Sequence, residues 1–82
     1  MKALQKILKD TAKTVAETHE VSVCTGTITV EIFDIYAEDT VLSLAGAEAA
    51  AFIAGANALF NAARVPWDIA CHANAKRYVD CL

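Results

Sequence analysis

The spacing of apolar residues changes twice along this chain, and this change limits the folds that it can adopt. Near the start, apolar residues recur every three or four positions, which places them on one face of a helix. From Val21 onward, apolar and polar residues alternate, as they do in a half-buried strand. The helical spacing returns at Ala49. The sequence therefore predicts an α+β fold with antiparallel strands between helices.

Two helices follow from this spacing. The first is predicted over residues 2–18, with a stripe of lysines opposite its apolar face. That apolar face comprises Leu4, Ile7, Leu8, Ala12, Val15 and Ala16. The second is alanine-rich and is predicted over residues 47–64. Its apolar face comprises Ala49, Phe52, Ile53, Ala56, Leu59, Phe60 and Ala63. Pro66 ends this helix, because the residue before a proline avoids the helical region.

The segment after Pro66 admits two interpretations. In the first, a short C-terminal helix continues to the end of the chain, since proline suits the first position of a helix. Its buried face would comprise Trp67, Ala70, Cys71, Asn74, Tyr78 and Cys81. In the second, the helix ends near Ala75 and a terminal strand covers residues 76–82. The spacing leaves both interpretations open.

Two hairpins are predicted to join the strands into a three-stranded antiparallel meander. A two-residue loop at residues 25–26 would pair Val23 with Ile28 and Val21 with Val30. This register gathers the apolar side chains of both strands on one face.

The second hairpin creates a conflict that the fold must resolve. A loop over residues 37–40 would pair Ile35 with Leu42 and Phe33 with Leu44. These odd-numbered residues of the middle strand face away from its other apolar residues. The sequence therefore predicts either that the middle strand contains a bulge near Phe33 or that this strand is covered on both faces.

Size and composition indicate one domain over residues 1–82. The chain is 56% hydrophobic, so the burial of a core can offset the entropy of ordering it. Three cysteines are an odd number and no secretory signal is evident, which favours reduced thiols and a cytoplasmic location. The apolar run over residues 45–63 contains a carboxylate and two asparagines, so we predict no membrane span.

The charges are segregated along the chain. Lysines dominate the first helix, whereas the middle of the chain is acidic, which disfavours direct binding of nucleic acid there. Carboxylates on and around the hairpins would fit a basic groove on a larger protein or nucleoprotein complex. The predicted contacts are Glu31, Asp34, Glu38 and Asp39.

The side of the second helix opposite its apolar face carries small residues. Such a face permits close approach by a partner helix or by a second copy of the chain. We predict a homodimer or partner-helix face made of Ala51, Ala54, Gly55, Ala58 and Ala62.

No residue pattern predicts catalysis, a bound metal or a cofactor. Glycine-framed serines and phosphate-binding loops are absent from the sequence, so we expect a protein that is not an enzyme. Cys71 and His72 are adjacent and would point about 100° apart on a helix, which does not suit a shared ion.

The final residues Lys76-Arg77-Tyr78-Val79-Asp80-Cys81 resemble the terminal segment of a family of small phage-encoded anti-CRISPR proteins. In that family an aromatic residue and Val-Asp-Cys follow a basic pair. The resemblance implies a small cytoplasmic protein without enzymatic activity that binds the surfaces by which a CRISPR effector handles nucleic acid. It further implies that Lys76, Arg77 and Tyr78 contact the partner, and it favours the terminal strand.

Three functional hypotheses follow. The leading one is a protein-binding inhibitor or regulator, from a phage or mobile element, that blocks a host nucleic-acid-handling machine by occupying its surface. The second is a self-associating structural or accessory subunit that forms a homodimer. The third is a small ligand- or metal-binding domain.

Overall fold

The computed structural model describes residues 2–82, and it has the predicted α+β layout. In chain order the elements are α1 (Lys2–Ala16), β1 (His19–Cys24), β2 (Thr29–Asp34), β3 (Asp39–Ala45), α2 (Gly46–Ala63) and α3 (Trp67–Val79). The terminal strand predicted over residues 76–82 is wrong, because α3 remains helical to Val79. An ion pair between Lys76 and Asp80, one helical turn apart at 2.6 Å, favours the helix at this end.

The first hairpin has a longer loop than the sequence predicted. Val23 lies opposite Val30 and Val21 lies opposite Ile32, so the loop covers residues 25–28. The predicted pairs are therefore wrong by two residues. Because strand side chains alternate with a period of two, this shift leaves Val21, Val23 and Val30 on their predicted face, whereas Ile28 lies in the loop and is exposed.

The second hairpin contains a bulge, but the extra residue lies on β3 and not on the middle strand, where it was expected near Phe33. Ile32 lies opposite Leu42, whereas Phe33 lies opposite Thr40, which leaves Val41 as the extra residue on β3. The predicted pairs of this hairpin are wrong, but the bulge resolves the conflict between faces. It places Leu42 on the same face as Ile32, and the other face of the sheet carries no further layer.

The helices cover one face of the sheet. α3 packs against both α1 and α2, which contact each other little. The buried side chains between sheet and helices are Val15, Val30, Ile32, Leu44, Ala49, Phe52 and Ala75. A second cluster between the helices consists of Leu8, Ala12, Ala63, Val65, Ala70 and Ala73. Alanines make up four of the six residues of this second cluster, which allows the helix axes to approach closely.

Four residues that were assigned to apolar or buried faces lie outside this core, and two of them, Ala16 and Cys81, are a small residue of α1 and a thiol beyond the end of α3. Ile7 is 60% exposed and Phe60 is 39% exposed. The Phe60 ring instead meets Trp67 edge-on, with 6.1 Å between centroids, at the corner between α2 and α3. Within residues 2–82, none of the helices combines the length and the apolar character that crossing a membrane requires.

Candidate partner-binding surface

The sheet layer carries charge of one sign. Residues 19–45 contain no lysine or arginine, and their acidic residues are Glu20, Glu31, Asp34, Glu38 and Asp39. The cations of the chain lie on α1, on α3 and at the end of α2. The fold therefore separates an acidic sheet layer from a helical layer that carries the positive charge.

The open face of the sheet is polar and shallow. Glu31, at its centre on β2, lies between Ser22 on β1 and Ser43 on β3, and all three side chains are exposed. An antiparallel sheet with one wet face commonly shows this alternation of buried and exposed residues. Glu31 is thus free to contact a partner.

The turn between β2 and β3 is ordered by its own side chains. One carboxylate oxygen of Asp34, Oδ1, accepts hydrogen bonds from the backbone N–H groups of Tyr36 and Ala37, both at 2.9 Å. The Ile35 N–H donates to the carbonyl oxygen of Thr18 at 2.9 Å, which ties the turn to the start of β1. Glu38 closes the turn with a φ of 53°.

Tyr36 stands at the tip of this turn and is 78% exposed, whereas Ile35 beside it is 38% exposed. The sequence reasoning missed both, since it placed Ile35 in a strand and did not consider Tyr36. Asp34 was a signal for the turn, because an aspartate side chain commonly accepts a hydrogen bond from the backbone two residues further on, in an Asx turn.

The Asp34 side chain mainly stabilises the turn and is only partly exposed. Its side chain is 28% exposed, and its other oxygen, Oδ2, lies 3.7 Å from Nε2 of His19. The second ring nitrogen of His19, Nδ1, is 2.7 Å from the Thr18 hydroxyl. Glu38 and Asp39 are exposed, and Asp39 lies directly across from Asp34. The structure thus separates the predicted acidic contacts into three outward residues and one structural carboxylate.

Lys76, Arg77 and Tyr78 belong to the helical layer and already have partners within the chain. The Arg77 guanidinium lies 5.5 Å from the Tyr78 ring centroid and donates from Nη2 to Asn74 Oδ1 at 3.3 Å. The Tyr78 ring packs on Phe52, with 4.9 Å between centroids. These residues are therefore not grouped with the acidic turn.

The small-residue face of α2 is present in part. Ala51, Ala54, Ala58 and Ala62 are exposed, as the spacing predicted. Gly55 instead points to α3, where an added Cβ would lie 2.7 Å from Asn74 Oδ1. Gly55 therefore serves the contact between α2 and α3 and is not part of the outer face.

The thiols differ in environment. Cys24 is exposed, and hydrogen bonds from the Thr27 side chain and backbone lower its pKa. Cys71 is 3% exposed, and burial, with the charge of Asp68, raises its pKa to about 11. Among residues 2–82, no three His, Cys, Asp or Glu side chains converge as metal ligands would.

The surface that these residues build is an acidic turn with a tyrosine at its tip, next to an open sheet face with Glu31 at its centre. This surface offers an exposed aromatic side chain and exposed carboxylates. No family model matches this chain, and neither does any curated protein or solved structure.

Proposed function

We propose that this chain is a small non-enzymatic inhibitor or regulator that binds a basic surface on a larger protein or nucleoprotein complex. The β2–β3 turn (residues 35–38) would make the central contact. The observation that carries the proposal is Tyr36, which is 78% exposed on a turn that Asp34 holds in one conformation. Exposed tyrosines on ordered segments contribute to protein interfaces disproportionately.

The order of the turn favours binding. A flexible loop loses conformational entropy when a partner immobilises it, and this loss weakens the complex. Here the backbone around Tyr36 is already fixed by two hydrogen bonds to Asp34 and by the tie between Ile35 and Thr18. Little further ordering is needed on contact.

The charge of the sheet layer supports a basic partner. Glu38 and Asp39 place negative charge at the turn, Glu31 adds a carboxylate on the open sheet face, and no lysine or arginine in residues 19–45 offsets this charge. Such a field speeds encounter with a positive surface and suppresses binding to an acidic one. Proteins that handle nucleic acid carry positive surfaces of this kind. The resemblance of residues 76–81 to anti-CRISPR proteins favours a CRISPR effector as the target.

The test is retention of proteins from nuclease-treated bacterial lysate on the immobilised chain, compared between the wild type and Tyr36→Ala. We expect the wild type to retain a stoichiometric partner. The Tyr36→Ala variant should not retain it, and Glu38→Lys should bind it more weakly. Heparin, a polyanion, should release it from the wild type. Glu48→Lys is the charge control, because Glu48 lies on α2 outside the proposed surface. The proposal is contradicted if the partner stays bound to Tyr36→Ala and in the presence of heparin. It is also contradicted if lysates of several hosts yield no stoichiometric partner.

A further inference from the structure

The two edges of the sheet differ in how they are protected. β3 is interrupted by the bulge at Val41 and leads directly into α2. β1 pairs with β2 over all six of its residues, and its sequence, HEVSVC, contains no lysine, proline or bulge. Soluble proteins commonly place one of these features on an edge strand to prevent it from pairing with another chain. Charged side chains have the same effect, and β1 carries one, Glu20, on the open face of the sheet, but it has none of the other three features.

The hydrogen bond between Ile35 and Thr18 shows which backbone groups of β1 face outward. Antiparallel strands exchange hydrogen bonds at every second residue pair. Thr18 lies opposite Ile35 in the continued β1–β2 register and accepts its N–H at 2.9 Å. Every second residue after Thr18 therefore turns its N–H and C=O towards β2. The residues that turn theirs away are His19, Val21 and Val23. Within residues 2–82, the backbone hydrogen bonds of turns and loops include none to these three.

The side chains of an added strand would have to suit the environment on both faces of the sheet at this edge. On the helix-facing side, an open cleft of about 160 Å³ is lined by Val21, Val23, Trp67 and Cys71, and also by Asp68 and His72. Apolar side chains suit its valine, tryptophan and cysteine walls. On the open side, Glu20 and Ser22 require polar neighbours that are not acidic. β1 itself alternates apolar and polar residues in this way.

We propose that β1 pairs with β1 of a second copy of this chain, antiparallel, about a two-fold axis at Val21. In this register Val21 lies opposite its own counterpart and His19 lies opposite Val23 of the second copy. Each outward-facing residue then exchanges its N–H and C=O with one residue across the axis. Glu20 lies opposite Ser22 of the second copy, so no two carboxylates are directly opposed. If the register shifted by one residue, the valines of the second copy would lie on the open, polar side of the first copy's sheet. That register is therefore unfavourable.

The dimer unites the open faces of two copies into one sheet with a continuous acidic surface. This inference is independent of the contact that we propose for Tyr36, because the β2–β3 turn lies at the end of the sheet and not along β1. A chain that proves monomeric would leave the Tyr36 proposal unchanged.

The test is sedimentation velocity of the full chain over a wide concentration range. We expect a dimer in the wild type. Val21→Pro removes an outward N–H and no bond to β2, so circular dichroism should remain native while the dimer is lost. Because Pro can also disturb a strand locally, the second pair of variants changes charge alone. Ser22→Lys would face Glu20 of the second copy and Ser22→Glu would oppose it.

We expect Ser22→Lys to tighten the dimer and Ser22→Glu to weaken it, each by about two- to thirtyfold in Kd, since two symmetric pairs change. Ser43→Lys and Ser43→Glu are matched controls, because Ser43 also flanks Glu31 but lies on β3. They should leave the Kd unchanged. A wild-type monomer at every concentration, or a dimer that ignores the Ser22 charge, overturns the proposal. Loss of a bound foreign protein by Val21→Pro in a monomeric chain would assign the edge to that protein instead.

Discussion

The contact between α2 and α3 and the turn between β2 and β3 use polar side chains in opposite ways. Between the helices, Asn74 is 5% exposed and donates to the Phe52 carbonyl oxygen at 2.9 Å, directly beside Gly55. At the turn, Asp34 accepts two backbone N–H groups and leaves Tyr36 exposed. The first arrangement closes a packed interior, and the second presents a side chain to solvent.

The difference teaches where a contact residue should be sought. Arg77 and Tyr78 matched a resemblance in sequence, yet their side chains already pack within the helical layer. A partner could contact only the part of these side chains that Phe52 and Asn74 leave exposed. Tyr36 matched no motif, yet its side chain has no such role. Exposure on an ordered backbone, which sequence patterns do not report, distinguishes the two regions.

The largest effect is expected at the helix contact. Gly55→Ala should lower the free energy of unfolding by about 1–2 kcal/mol, because the added Cβ crowds Asn74 and Arg77 by more than the gain in helix propensity offsets. Gly26→Ala is the control, since no atom lies within 4 Å of its added Cβ. Urea unfolding measures both. Equal stability of Gly55→Ala and the wild type would show that the α2–α3 contact can widen, and would weaken the comparison.

A smaller effect is expected at the turn. Asp34→Ala should lower the free energy of unfolding by about 1 kcal/mol, because two turn N–H groups lose their acceptor while water partly replaces it. Asp34→Asn keeps Oδ1 and should retain most of the stability. Asp39→Ala is the control: it removes a carboxylate opposite Asp34 that makes no hydrogen bond within residues 2–82, so stability should hold or rise. Faster amide exchange at Tyr36 in Asp34→Ala alone would sharpen the comparison.

The smallest effect concerns reactivity and leaves stability unchanged. In a Cys81→Ser background at pH 7.5, Cys24 should react with a thiol reagent in the native protein, because the hydrogen bond from Thr27 lowers its pKa and increases the thiolate fraction. Cys71 should react only on unfolding, since it is buried and its pKa is raised to about 11.

Thr27→Val provides the matched variant for this comparison. Without the hydroxyl, the pKa of Cys24 returns towards its usual value, so its labelling slows at pH 7.5. The difference should vanish above pH 9.5, where both proteins carry the thiolate. A constant rate ratio at every pH would indicate that Thr27 acts on access to the thiol and not on its pKa.

The hairpins show how far sequence patterns extend and where they fail. Alternation assigned Val21, Val23, Val30 and Ile32 to one face, and the structure confirms this. It did not assign the loop, because pairing with a two-residue and with a four-residue loop places the same side chains on that face. Ile28 ends the loop with a φ of 51° that a β-branched residue rarely adopts, so local preference argued for the shorter loop.

The packing of the helices shows the same limit of prediction from sequence patterns. Spacing located α1 and α2 to within two residues but placed Ile7 and Phe60 in the core and Gly55 on the outer face. α3 packs between the two helices through alanines, so the contact stripes are narrow and only the residues nearest to α3 are buried. A periodic pattern defines a face about 100° wide, and the neighbour decides which part of it is covered.

The sequence by itself determined the order of elements as far as the start of α3, the faces of the strands and the separation of charge, because each follows from the period and sign of neighbouring residues. Tertiary structure alone decided the hairpin registers, the inward direction of Gly55, the exposure of Tyr36 and the unprotected edge of β1. These depend on which backbone groups and side chains meet across the fold, and that pairing joins residues that are distant in the chain.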